Sequence, residues 1–188
     1  ARVAEIVYQD PLFSLLTAEI ASQSGDIYSA TLAYSEASKQ QQNPELAKRA
    51  VEISLAEGQL ELALNAAKVW TELSPQDKQA SRSVMLLQLG TNQVEAALPA
   101  LRDYLNTVKQ AEAANPGVTG ATTEKAALDM LMRIPDKAKA YQTGIDLFGN
   151  NPEDLDIQSM LAQLASSSEL HAKAVEHMEN VLRKSPQE

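Results

Sequence analysis

Two histidines, three clustered carboxylates and one tryptophan are the side chains of this sequence with chemistry to offer beyond ordinary solvation. His171 and His177 stand six residues apart, which turns them about 120° away from a shared helix face. A two-histidine metal site needs a spacing of three or four. Glu153, Asp154 and Asp156 sit close enough to hold a cation, but the stretch lacks the glycine and terminal glutamate of a calcium loop. Gathered there, the carboxylates read as a helix first turn, where they oppose the exposed N–H dipoles. Glu169, three residues after Ser166, reads as a capping box that opens the last helix. Trp70 is a candidate for stacking on a ligand, yet the area it buries makes core its first reading. No metal and no cofactor is expected.

Catalysis finds little support. With no cysteine in the chain, thiolate metal sites, disulfides and a cysteine nucleophile are all excluded. No serine, histidine and acid arrangement stands in a supporting context, and no glycine-rich phosphate cradle follows a strand. A net charge of -9 repels a phosphate backbone, and no basic stripe reverses it locally. Nucleic acid is not an expected partner. No stretch approaches the roughly 18 consecutive apolar residues of a spanning helix. The chain starts Ala1, Arg2, Val3 without methionine or the basic-then-apolar layout of a signal peptide. It therefore reads as a processed product or a piece of something longer, and its composition leaves the compartment open.

The elements that must carry these residues are helices. Hydrophobic residues make up 44% of the chain, with only two Phe and one Trp, so the interior has to be built from Ala, Leu, Val, Ile and Met. Such cores suit closely packed helices. Apolar residues recur at steps of three or four, as in Leu12, Leu15, Leu16, Ile20 and again in Leu46, Ala50, Ile53, Ala56. A capping side chain followed by proline predicts helix starts at Asp10-Pro11, Asn43-Pro44, Ser74-Pro75 and Asn151-Pro152. Turn signals fall midway, at Gly25-Asp26, Gly58-Gln59 and the 90–92 stretch. The predicted unit is helix, tight turn, helix.

The unit repeats. Ala30, Ala63, Ala97, Ala140 and Ala174 fall at one equivalent place, with spacings of 33, 34, 43 and 34 residues. The long spacing has its cause in Asn115-Pro116-Gly117-Val118-Thr119-Gly120, a breaker-rich insertion, which either carries function or merely fills a tolerant site. Pro152 and Pro186 are again 34 residues apart. Expected units run over about 10–43, 44–76, 77–114, 120–152 and 153–188, with 1–9 a lead-in or short helix and the insertion at about 115–120.

With that period and those alanines, the chain from about Asp10 to Glu188 resembles the tetratricopeptide repeat family. That family places a small residue early in its second helix, where the five alanines match. Its large-residue position falls on Tyr34, Ala67, Leu101, Gly144 and Met178, of which Ala67 and Gly144 depart from the pattern. The resemblance implies an all-α, tetratricopeptide-like superhelical solenoid of about five helical hairpins, with first helices lining a concave groove. It places Leu15 and Glu19, Lys48 and Glu52, Arg82 and Leu86, and Lys125 and Asp129 in that groove. Relatives that clamp a C-terminal carboxylate carry Lys, Asn and Arg there, so Glu19 and Glu52 argue against capture of a free carboxylate.

The function expected of such an array is to hold a protein or peptide partner as a scaffold or adaptor. Residues 12–21 and 66–75 resemble the amino-terminal repeats of bacterial outer-membrane repeat lipoproteins, some of which deliver substrates to a periplasmic carboxyl-terminal processing protease. That resemblance implies an envelope location through a lipid anchor upstream of Ala1, against a cytoplasmic alternative. The other reading is a self-assembling structural solenoid, a homo-oligomer without a peptide ligand, since end hairpins lack a neighbour to cover their apolar faces.

Overall fold

The computed structural model describes residues 10–114 and 122–184. The expected lead-in over 1–9, the insertion over 115–120 and the marker Pro186 lie outside these residues. Among the described residues there are ten α-helices and no strand. In chain order they are α1 Pro11–Ser24, α2 Ile27–Gln41, α3 Pro44–Ala56, α4 Leu60–Leu73, α5 Lys78–Gly90, α6 Val94–Ala114, α7 Thr123–Leu131, α8 Lys137–Phe148, α9 Leu155–Ser167 and α10 His171–Lys184; α1 pairs with α2, α3 with α4, α7 with α8 and α9 with α10. The fold is all-α, of tetratricopeptide-like helical hairpins.

The alanine register is real in three dimensions. Each of Ala30, Ala63, Ala97, Ala140 and Ala174 is the fourth residue of a second helix. Each donates its backbone N–H to the residue just before that helix, at 2.9, 3.0, 3.3, 2.9 and 2.9 Å respectively. That is the first closed turn of the helix. Four of the five are fully buried, while Ala174, on the last described helix, is half-buried.

Local chemistry sets the helix ends. Asp10 and Asn43 accept from the backbone N–H of Leu12 and Glu45 at 2.9 and 3.1 Å, with Pro11 and Pro44 as first helical residues. The two other proline pairs do not open helices, contrary to the sequence expectation. Ser74 and Asn151 each begin a tight turn, their carbonyls accepting from Asp77 N and Asp154 N at 3.0 and 3.2 Å. Proline sits second in each turn, where its fixed φ suits the geometry. The caps are the aspartates that end those turns. Asp77 accepts from Gln79 N at 2.8 Å, and Asp154 from Asp156 N and Ile157 N at 3.1 Å each. A second correction concerns the capping box expected at Ser166 and Glu169. Helix α9 runs on through Ser167, Glu169 takes a left-handed φ of 59° in the turn, and α10 starts at His171.

The chain divides into two compact units, residues 1–88 and 89–188, with the boundary inside α5. The amino-terminal unit has a core of sixteen residues, nine of them alanine, drawn from α1 to α5. Alanine lets helix backbones approach closely, and Tyr34, Leu64, Trp70 and Leu87 fill what remains. In the carboxy-terminal unit α9 is the central element, packed against α7, α8 and α10. It buries Ile157, Met160, Leu161 and Leu164. Gly144 on α8 lies against this helix: a Cβ there would stand 2.9 Å from Leu164 Cδ1 and 3.3 Å from Leu161 Cδ2. The departure from a large residue at 144 thus has a cause, because leucines of α9 occupy the space.

Candidate partner-binding faces

In the amino-terminal unit the groove candidates are engaged with the protein itself. Leu15 on α1 packs against the alanine-rich core. Glu19 accepts a hydrogen bond of 2.5 Å from the hydroxyl of Tyr34, a residue only 1% exposed. Burial pushes the Tyr34 hydroxyl above its ordinary pKa, and the Glu19 carboxylate adds to this while Arg49 opposes it. Lys48 on α3 holds its ammonium 5.8 Å from the centroid of the Trp70 ring, a cation–π distance. Trp70 itself is buried, as its reading as core required. Glu52 pairs with Arg49 one turn earlier at 3.7 Å. On α5, Arg82 is exposed and Leu86 half-buried.

The carboxy-terminal unit differs. Between α7 and α9 runs a crease of about 440 Å³. Leu128, half-buried, and Met160, buried, supply its apolar floor, and Glu124, Lys125, Asp129 and Asp156 stand along it. The local sequence explains the placement. Thr122 caps α7 through Lys125 N at 3.2 Å, and Asp154 caps α9. From those starts, 125, 128 and 129 follow at helical spacing, as do 156, 159, 160 and 163. None of the four charged side chains forms an ion pair among the described residues. Of the eight residues expected in a groove, the structure brings Lys125 and Asp129 together in this crease, and Glu124, Leu128, Asp156 and Met160 join them. Sequence reasoning named the α7 pair but not the facing side of α9. The repeat register carried part of that signal, since Ser159 and Gln163, 34 residues after Lys125 and Asp129, line the same crease.

Beside this crease, and sharing Glu124 and Asp156 with it, a second one of about 600 Å³ lies between α6, the end of α8 and the start of α9. Arg102 and Lys109 line it together with Glu112, whose carboxylate accepts from Thr123 N and Oγ1 at 3.2 and 2.9 Å.

A buried polar network under α10 was not foreseen. His177 is 1% exposed and Gln158 fully buried. Gln158 Nε2 donates to Asn150 Oδ1 and the Asn151 carbonyl at 3.1 and 2.9 Å, which leaves Oε1 as the acceptor. That oxygen takes hydrogen bonds from Asn180 Nδ2 and from His177 Nδ1, both at 2.9 Å. The imidazole is therefore the Nδ1–H tautomer, and its Nε2, 3.0 Å from the Tyr141 hydroxyl, accepts. Burial pulls the His177 pKa below its ordinary value. His171 is exposed, at the start of the same helix.

Apolar area is also exposed at both ends of the described chain. Leu12, Leu16 and Ile20 form a stripe on α1 away from its buried Ser14, Ala18 and Ala21. Val175, Met178 and Leu182 form another on α10.

Among the described residues, then, the chain is an array of helical hairpins with an open crease between α7 and α9, and no group of three or more metal-ligating side chains is assembled. No family model matches the chain, and no curated protein matches it. Among solved structures it is similar to the MamA protein, at 16% identity over 93% of this chain and 91% of that one with a TM-score of 0.44. It is also similar to MamA 41-end from Desulfovibrio magneticus RS-1, at 18% identity over 94% and 97% with a TM-score of 0.44. A further likeness is to YrrB, described as a TPR protein with an unusual peptide-binding site, at 14% identity over 99% and 92% with a TM-score of 0.43.

Proposed function

We propose that the chain is a non-enzymatic interaction scaffold that holds a protein or peptide partner along its first helices. The observation that carries this reading is the α7–α9 crease, which combines an apolar floor with charged side chains that have no ion-pair partner among the described residues. Unpaired charges beside an apolar cleft are what recognition of a polypeptide uses. Panning random short peptides against the whole chain tests it. Binders whose affinity falls in Leu128→Ala are expected; a panel of binders indifferent to that change refutes the assignment to the crease.

The resemblance of residues 12–21 and 66–75 to outer-membrane repeat lipoproteins extends the proposal to an adaptor for a periplasmic protease. The residues encoded before Ala1 test this part separately, because a leader ending in a lipidated cysteine supports it and an unbroken run of cytoplasmic sequence refutes it. A second reading, self-assembly, is favoured by the bare stripes on α1 and α10. Light scattering over a concentration series decides it, since a strict monomer rules it out.

A further inference from the structure

The same crease has a charge character that names the chemistry of its occupant, an inference that rests on the scaffold reading above. Along the crease Glu124, Asp129 and Asp156 contribute three negative charges and Lys125 one positive. In the amino-terminal unit the corresponding carboxylates are spent internally, Glu19 on Tyr34 and Glu52 on Arg49. The three in the crease face no cation at ion-pair distance among the described residues. The cations of the neighbouring crease, Arg102 and Lys109, pair with none of them either. Like charges in excess of their counter-charge repel one another, and they are relieved by a ligand of opposite sign. The chain as a whole, at -9, steers the same kind of ligand toward itself.

We infer that the α7–α9 crease takes a basic peptide segment, in which Lys or Arg side chains meet Glu124, Asp129 and Asp156 while interleaved apolar side chains seat on Leu128 and Met160. An acidic segment would place its carboxylates against three others with only Lys125 to answer them. A purely apolar segment would leave the three charges beside a newly dry cleft at a desolvation cost.

The test uses the whole chain and two labelled peptides of one length, alternating Lys with Leu and Glu with Leu, with binding read by fluorescence anisotropy at rising salt. The Lys peptide should bind more tightly, weaken as salt rises, and lose roughly two- to thirtyfold in the double variant Glu124→Gln, Asp129→Asn, as two exposed ion pairs predict. A control variant of equal charge change far along the chain, Glu57→Gln with Glu61→Gln, should leave it near the wild-type value; an equal loss there would mean nonspecific attraction and would overturn the inference. Equal binding of both peptides, each weakened by Leu128→Ala, would overturn the charge assignment and leave the scaffold reading standing. Peptide binding that Leu128→Ala does not touch would overturn both.

Discussion

Replacing Gly144 by alanine sets two effects of similar size against each other, and the structure decides between them. Glycine inside a helix is about 1 kcal/mol less favourable than alanine, so α8 considered alone would gain that much. The new methyl, however, would stand 2.9 Å from Leu164 Cδ1, 3.3 Å from Leu161 Cδ2 and 3.6 Å from Leu131 Cδ1. All three leucines are completely buried, so none can swing into solvent to make room. Overpacking of a filled core costs about 1–3 kcal/mol. The expected net is a loss of about 0–2 kcal/mol in the carboxy-terminal unit. Urea unfolding followed by circular dichroism gives the midpoint shift at constant slope. The cycle with Leu164→Ala sharpens the point. That change alone should cost about 2–5 kcal/mol for its cavity, and the alanine at 144 should recover part of it, a favourable coupling of about 1 kcal/mol. A Gly144→Ala protein stabilised by the full helix term, with no coupling to position 164, would refute the close approach of α8 to α9.

Three further outcomes follow from the caps and hydrogen bonds. Because burial holds the His177 pKa below the ordinary value of about 6.5, the unfolded chain binds the proton more readily. Its contribution is fully present above about pH 6.5 and fades as the pH falls through that value toward the lowered one; hydrogen exchange of α10 should rise over this window, and His177→Gln should flatten the dependence. Asp77→Ala should lower stability by about 0.5–2 kcal/mol, the usual worth of a cap, whereas Ser74→Ala should cost much less in the same thermal melts. Tyr34→Phe should cost about 1 kcal/mol, and a double-mutant cycle with Glu19→Gln should show most of that loss to be shared between the two side chains.

The hairpin array was legible because one residue type recurs where backbones meet: an alanine four residues into each second helix is visible as spacing before any coordinate exists. The caps were less legible. Ser74 and Asp77 both have side chains able to accept from a first-turn N–H, and only the turn drawn by Pro75 shows which one does. The same turn moves the cap from Asn151 to Asp154. Ser166 and Glu169 carried the right residue types for a capping box, but α9 kept its helical hydrogen bonds beyond Ser166. Lys125 and Asp129 could be named from register alone. That they lack internal ion pairs was not legible, because the partners of Glu19 and Lys48 come from other helices, and only Glu52 meets its own, Arg49, within one helix. His177 and Gln158 lie 19 residues apart on different helices, and no pattern within either helix announces that they meet.

The alanine-rich interior of the amino-terminal unit has a consequence for how that half tolerates change. A methyl side chain has no rotamers to freeze, so ordering this interior costs little side-chain entropy, and cohesion comes from main chains lying close together. A larger residue there finds no neighbour able to re-orient and can only wedge the helices apart, while a glycine removes a single methyl. Random mutagenesis should therefore find the inner alanines of 18–67 hurt less by glycine, at about 1 kcal/mol each for the lost helix preference, than by any larger residue, the reverse of an interior built from leucine.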